Sequence, residues 1–303
     1  VPSVPRINLT NADARSYFLD VARYWVREYG IDGWRMDVTR YVDFEFWPAF
    51  RSAVKNENAD AFLIAEILGD AGPWLQGDTF DGTMNYTFRQ LALDFFAQAS
   101  TDGHTLADGL ARMYAGYEPN TIAASQNLLG SHDTPRFLHE AGGDPERLRL
   151  ATVLQMTLPG APGLYYGDEV GMSGGDDPGS RGAFPWHEPD RWDRDHLEVV
   201  RSLSALRRTH PALRSGRLDI VARTDNGIAL LRSGSGERIL VVLDRTGEQR
   251  QMTLPVAGGR PTVIWGDGQA TSTASGTRVD GVRGAVLVNL GNRESIGAPD
   301  SAG

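Results

Sequence analysis

Gly33-Trp34-Arg35-Met36-Asp37-Val38 is the stretch on which the fold assignment turns. It reads as a short buried strand, with Trp34 and Val38 supplying β-propensity and Gly30 and Gly33 punctuating the approach. Side chains alternate along a strand, so Arg35 and Asp37 share one face while Trp34 and Met36 share the other. A guanidinium that close lowers the pKa of an acid and keeps it ionised, as a nucleophile requires. A structural pair capping a strand explains the same two residues, so the stretch alone leaves both readings open.

The segments around it repeat the pattern. A helix is expected over Ala12–Tyr29, where Phe18, Val21, Ala22, Trp25 and Val26 form one apolar face, and a second over Phe46–Lys55. Phe62–Glu66 is another short apolar run ending in an acid, and Phe80–Asn85 is a weaker strand candidate. Helices are expected near Tyr86–Ala99 and Leu106–Tyr117. Ser125–Gly130 then leads into Ser131-His132-Asp133. Pro145–Thr157 reads as helix, Gly163–Glu169 as the last strand of the series and Asp195–Thr209 as helix. Strand and helix alternating at roughly 30-residue spacing predict parallel βα units. Asp37, Glu66, Asp133 and Glu169 each follow an apolar strand. In a βα barrel such tips meet at the rim where active sites are built.

The texture changes near Gly216. LDIVAR, GIALLR, ILVVLDR, QMTLPV, TVIWGD and AVLVNLG are short β-rich runs separated by Asn-Gly, Ser-Gly and Gly-Gly turns, which predicts an antiparallel β-domain. The expected division is residues 1–213 for the βα part, 214–291 for the β-domain and 292–303 for a polar, disordered tail.

The totals exclude several classes. The chain has 303 residues, 41% of them hydrophobic and 23% charged, in the range of an ordinary globular protein. A net charge of −9 argues against a nucleic-acid partner. With no cysteine there is neither disulfide nor thiol catalysis. No apolar run reaches membrane-spanning length, so no membrane partner is expected.

Two carboxylates on neighbouring strand tips suit retaining glycoside hydrolysis, which needs them about 5–5.5 Å apart. In that scheme Glu66 stays protonated until it acts, with a pKa above that of Asp37. Asp133 is placed to stabilise positive charge on a sugar ring, and His132 to bond a sugar hydroxyl. Ser131-His132-Asp133 is no serine-hydrolase triad, because consecutive strand residues point to opposite faces. Glu169 is assigned to the sugar site and Asp168 to structure. Asp177 and Arg181 fit either sugar contacts or a loop salt bridge. Trp74, Tyr86 and Trp186 have rings suited to a pyranose face, with core packing the default for each; Trp25 and Trp47 read as core.

GWRMD at 33–37, AE at 65–66 and SHD at 131–133 resemble three signature motifs of the α-amylase family of glycoside hydrolases. VPRIN at 4–8, FDGTMNY, NLLGSHDTPR, YYGDEVGM and GGDDPGSR are similar to the branch containing neopullulanase, cyclomaltodextrinase and maltogenic amylase. The resemblance runs from Val4 to about Arg208. It implies Asp37 as nucleophile, Glu66 as acid/base and Asp133 as transition-state stabiliser. Arg35 and His132 would then be the supporting site residues, beside Glu169, Asp177 and Arg181 as the further candidate substrate contacts.

It also implies the fold: the C-terminal part of a (β/α)8 TIM barrel, strands 4 to 8, followed by an antiparallel β-sandwich domain. The implied activity is hydrolysis of α-1,4 glucosidic bonds, with α-1,6 bonds left open as an extension, in maltodextrin, cyclodextrin or pullulan-type α-glucans. The competing readings are a transglycosylase of the same family and a truncated, non-catalytic carbohydrate-binding protein. The family's first signature motif and the earlier strands have no counterpart here, so a C-terminal fragment with exposed sheet edges, poorly active alone, is expected. Thr39-Arg40-Tyr41 and Leu68-Gly69 depart from the branch on the leaving-group side. Many relatives bind calcium, partly through the region without a counterpart here; no cofactor and no metal site is expected in this chain. The branch further implies a cytoplasmic protein whose full-length form is a homodimer.

Overall fold

The structure, a computed structural model, describes residues 5–247, 251–257 and 259–291. The expected tail at 292–303 lies outside the described residues. The described chain divides into two compact units. One holds the residues up to Thr87 with Met113–Asn127; the other holds Phe88–Arg112 and the residues from Leu128 onward.

The first unit opens with α1 (Ala12–Tyr29). Asn11 caps it by accepting the Asp13 and Ala14 N–H groups, each at 3.0 Å, and Gly30 ends it. β1 (Gly33–Met36) follows, then α2 (Trp47–Glu57), β2 (Phe62–Ile67) and β3 (Gly82–Asn85). In chain order α3 (Tyr86–Ala92) and α4 (Gly103–Ala115) come next, most of their residues belonging to the second unit, and then α5 (Pro119–Ala124) and β4 (Gln126–Leu128). β1 pairs parallel with β2, β2 with β3 and β3 with β4, so the βα alternation has the expected parallel sense. Gly33 lies so close to β2 that a Cβ there would sit 2.0 Å from the Phe62 carbonyl oxygen, which restricts the position to glycine.

Burial in β2 alternates: Leu63, Ala65 and Ile67 are buried, so Glu66 projects from the opposite face. Those residues join Ala22 and Val26 of α1, and Trp47, Phe50 and Val54 of α2, in one core with Phe80. Trp47 is core as expected, whereas Trp25 is 41% exposed. It stands at the flank of the Ala22–Val26 stripe and rests on Tyr29, ring centroids 4.8 Å apart.

β1 departs from the reading as a buried strand running through Val38. Its four residues are half-buried, because among the described residues it has β2 alone as a partner in this unit. It stops at Met36. Val38 lies in the left-handed region at φ 46°, ψ 38°, outside strand geometry despite its β-branched side chain.

In the second unit a π-helical turn, Leu93–Ala97, replaces the last turns of the helix expected to reach Ala99. α6 (Phe137–Glu140), α7 (Pro145–Thr157), β5 (Ala161–Gly163), α8 (Arg194–Thr209) and α9 (Pro211–Ser215) follow. The strand expected over Gly163–Glu169 is β5 alone. Arg136 takes the Tyr166 carbonyl and the Asp168 side chain, and Asp168–Val170 is a single 3-10 turn, so these groups are not available for a ladder.

The β-rich runs form β6 (Arg217–Thr224), β7 (Gly227–Gly234), β8 (Glu237–Asp244), β9 (Gln251–Leu254) and β10 (Thr262–Gly266). Next come β11 (Gln269–Thr273), β12 (Gly276–Asp280) and β13 (Ala285–Asn289). All pair antiparallel, in sheets ordered β10-β13-β8-β7-β6 and β11-β12-β9. Leu240, Val242, Val286 and Val288 of the larger sheet share a core with Leu254 and Val279 of the smaller. The hairpin β11–β12 was not expected from sequence. Its residues are mostly Thr, Ser, Ala and Gly, which carry little apolar alternation.

Candidate active site

In the first unit the site is built on the end of β1. Arg35 projects from the strand, and its guanidinium reaches two acids: Nη1 pairs with the Asp37 carboxylate and Nη2 with that of Glu66. The register of β1 on β2 puts Arg35 beside Ile64 and Met36 beside Ala65, so Glu66 emerges one step further along the same sheet edge. One planar fork holding two carboxylates sets them side by side with their oxygens oriented. The Nε–H of Arg35 faces the Met84 sulfur of β3 at 3.4 Å, completing its contacts.

The two acids differ in setting. The Asp37 side chain is 68% exposed, that of Glu66 only 11%. Burial pushes the Glu66 carboxyl above the ordinary carboxylate range. The Val38 N–H bond and the Arg35 charge oppose that shift, while the neighbouring Asp37 charge adds to it. Val38 makes its contact because the left-handed turn aims its amide at Glu66 Oε2, 2.9 Å away. The strand pattern gave no sign of this donor, or of Met84 as a neighbour of Arg35.

In the second unit the loop after β4 carries His132 and Asp133. His132 Nε2 lies 3.0 Å from Asp133 Oδ2. Arg181 donates from Nε to the His132 carbonyl at 2.9 Å and pairs with Asp133 at 3.4 Å and Asp177 at 3.1 Å. His132, Asp133, Asp177 and Arg181 are thus brought into one cluster. Glu169 sits in the 3-10 turn rather than at a strand tip, half-buried, and its Oε2 is buried with no hydrogen-bond partner among the described residues.

Asp168 is more than a loop acid. It is buried against Arg136 at 2.8 Å, and burial pushes its carboxyl up to about 7 despite that cation. Arg136 itself went unremarked in the sequence; its signal is an arginine three residues beyond Asp133. Of the rings considered for sugar stacking, Tyr86 is buried core, Trp74 is half-buried and Trp186 is 70% exposed. Among the described residues no group of three His, Asp or Glu side chains is arranged to hold a metal ion. No described helix is long and apolar enough to cross a membrane.

The profile of the family described as "Alpha amylase, catalytic domain" matches residues 1–188, which include these parallel βα units and the acids at their ends. The chain belongs to the α-amylase family. Among curated relatives it is 40% identical over 258 residues to a cyclomaltodextrinase of Geobacillus thermopakistaniensis, covering 84% of this chain and 44% of that protein. It is 37% identical to neopullulanase 2 of Thermoactinomyces vulgaris, over 96% of this chain and 48% of that one. The chain therefore spans about half the length of the curated relatives it matches. Among solved structures, the ligand-free cyclic α-maltosyl-(1→6)-maltose hydrolase of Arthrobacter globiformis superposes with a TM-score of 0.81 at 40% identity, covering 95% of this chain and 62% of that one.

Proposed function

We propose that this chain carries catalytic residues of a retaining α-glucan hydrolase acting on α-1,4 and α-1,6 glucosidic bonds of maltodextrin, cyclodextrin or pullulan. Asp37 attacks the anomeric carbon, Glu66 protonates the leaving oxygen and later activates water, and Asp133 stabilises charge on the ring. Arg35, His132, Glu169, Asp177 and Arg181 contact the sugar. The observation that carries the reading is the Arg35 guanidinium held by both Asp37 and Glu66, with the buried Glu66 shifted toward its acid form. Such a pair of unequal carboxyls divides the nucleophile and acid roles as the mechanism requires. The likeness to a cyclomaltodextrinase and a neopullulanase supports the substrate class.

The same proposal takes β1–β5 as strands 4 to 8 of a (β/α)8 barrel and β6–β13 as a β-sandwich. The domains run over 1–213 and 214–291, no cofactor takes part, and the location is cytoplasmic. A second reading, glycosyl transfer to an acceptor sugar, is favoured by the exposure of Val38, Tyr41 and Leu68 next to the acids in sequence: flat or apolar side chains there can hold a sugar in place of water.

Product analysis on cyclodextrin, pullulan and soluble starch, with Asp37→Asn as control, tests the reading. Turnover of at least one of the three, lost in Asp37→Asn, supports it. Wild-type turnover by Asp37→Asn would overturn the nucleophile assignment.

A further inference from the structure

Arg136 is fully buried, an expensive place for a charge; Nη1 and Nε donate, while Nη2 is buried with no hydrogen-bond partner among the described residues. Its donors bind two separate loops. Nη1 donates to the Tyr166 carbonyl at 2.9 Å and to Asp168 at 2.8 Å; Nε donates to the Ser180 carbonyl at 3.1 Å. Its guanidinium lies over Tyr165 and Tyr166, 4.6 and 5.0 Å from the ring centroids. Asp168 in turn abuts the loop that carries Asp133: a Cβ at Gly130 would sit 2.8 Å from Asp168 Oδ2.

Ser180 immediately precedes Arg181, whose guanidinium holds the His132 carbonyl and the Asp133 carboxylate. A planar fork that fixes the Ser180 carbonyl therefore fixes where the Arg181 side chain starts. We propose that Arg136, clamped by Asp168, is a positioning residue that sets Arg181 against His132 and Asp133 through the Ser180 carbonyl. The inference rests on the glucan-hydrolase reading for its catalytic consequence, and on contacts within one unit for its geometry. Lysine at position 136 keeps the charge but loses the fork, so it cannot hold Ser180, Tyr166 and Asp168 together.

The test is a double-mutant cycle on maltodextrin turnover by the whole protein, with Arg136→Lys, Arg181→Ala and their combination, each normalised to folded, active sites. The expected result is a kcat loss of tenfold or more in Arg136→Lys with KM changed less than threefold, and no further loss when Arg136→Lys is added to Arg181→Ala. Losses that multiply in the combination would overturn the proposal, as a merely structural role predicts. Asp168→Asn, which keeps Arg136, supplies the same cycle if Arg136→Lys fails to fold. The His132 ring resonances, followed by NMR in the same variants, need no turnover. They are expected to move in Arg136→Lys, and unchanged resonances would overturn the proposal even in a protein inactive on glucans.

Discussion

The backbone N–H of Val38 donates to the Glu66 carboxylate at 2.9 Å, and it does so from the left-handed region, at φ 46°. A β-branched residue held there stores roughly 1–2 kcal/mol, the usual cost of that conformation for a residue with a Cβ. The turn aims a donor at the acid, and the donor does not depend on the side chain. Val38→Gly is therefore expected to raise stability by up to about 1 kcal/mol, the relief being partly offset by the greater freedom of glycine in the unfolded chain. Urea unfolding reads this out; a loss of stability would show that the valine side chain is not strained.

In the proposed mechanism Glu66 would act as an acid only while protonated, and its carboxyl lies above the ordinary range because it is buried. Activity is expected to fall as pH rises through that raised pKa, giving a one-proton alkaline limb in kcat/KM. Glu66→Gln should cost on the order of 10²–10⁴-fold on a glucan. It should cost far less on α-maltosyl fluoride, whose leaving group needs no proton. An equal loss on both substrates would remove Glu66 from the acid role.

Asp81 binds Arg51 at 2.8 Å, Lys55 at 3.0 Å and the Leu63 N–H at 2.9 Å, tying α2 to the start of β3. Burial would raise its carboxyl, but these partners outweigh burial and hold it below the ordinary range. An acid depressed in this way stabilises the fold above its unfolded pKa, and the contribution is lost as pH falls through the folded one. Asp81→Asn is expected to cost roughly 1–3 kcal/mol at neutral pH and progressively less in acid. A penalty that stays constant with pH would contradict it.

His196 is buried at the start of α8, and burial pushes its ring down to about 4. Asp193 draws the value up and Arg149 down. The folded ring stays neutral where the unfolded one takes up a proton, so stability is lost as pH falls from about 6.5 toward 4. The full loss is about 3 kcal/mol. In His196→Gln the acid limb of the stability profile should flatten across that window. An unchanged slope would mean that other groups set it.

The parallel βα part was legible because each apolar run and each amphipathic helix carries its own period, as α1 and α8 show. The strand ends were less so. Val38 has strand propensity and still turns, since the amide is needed by Glu66, and Gly163–Glu169 was read as a strand although Arg136 takes its polar groups. Both errors come from tertiary contacts that a local pattern does not encode. β11 and β12 escaped for the opposite reason, having too little apolar alternation to register. Of the site, Arg35, Asp37 and Glu66 could be paired because they sit on neighbouring strands. Arg136 and Asp168 could not, because nothing local separates a buried arginine from a solvated one.

The proposed mechanism has Asp37 and Glu66 cleave an α-glucosidic bond with retention. The direct measurement is proton NMR of the first turnovers on cyclodextrin or maltodextrin, recorded faster than the new reducing end mutarotates. The α-anomer is expected to appear first and the β-anomer only later. A β-anomer formed first would mean direct attack by water, and would contradict the assignment of Asp37 as nucleophile.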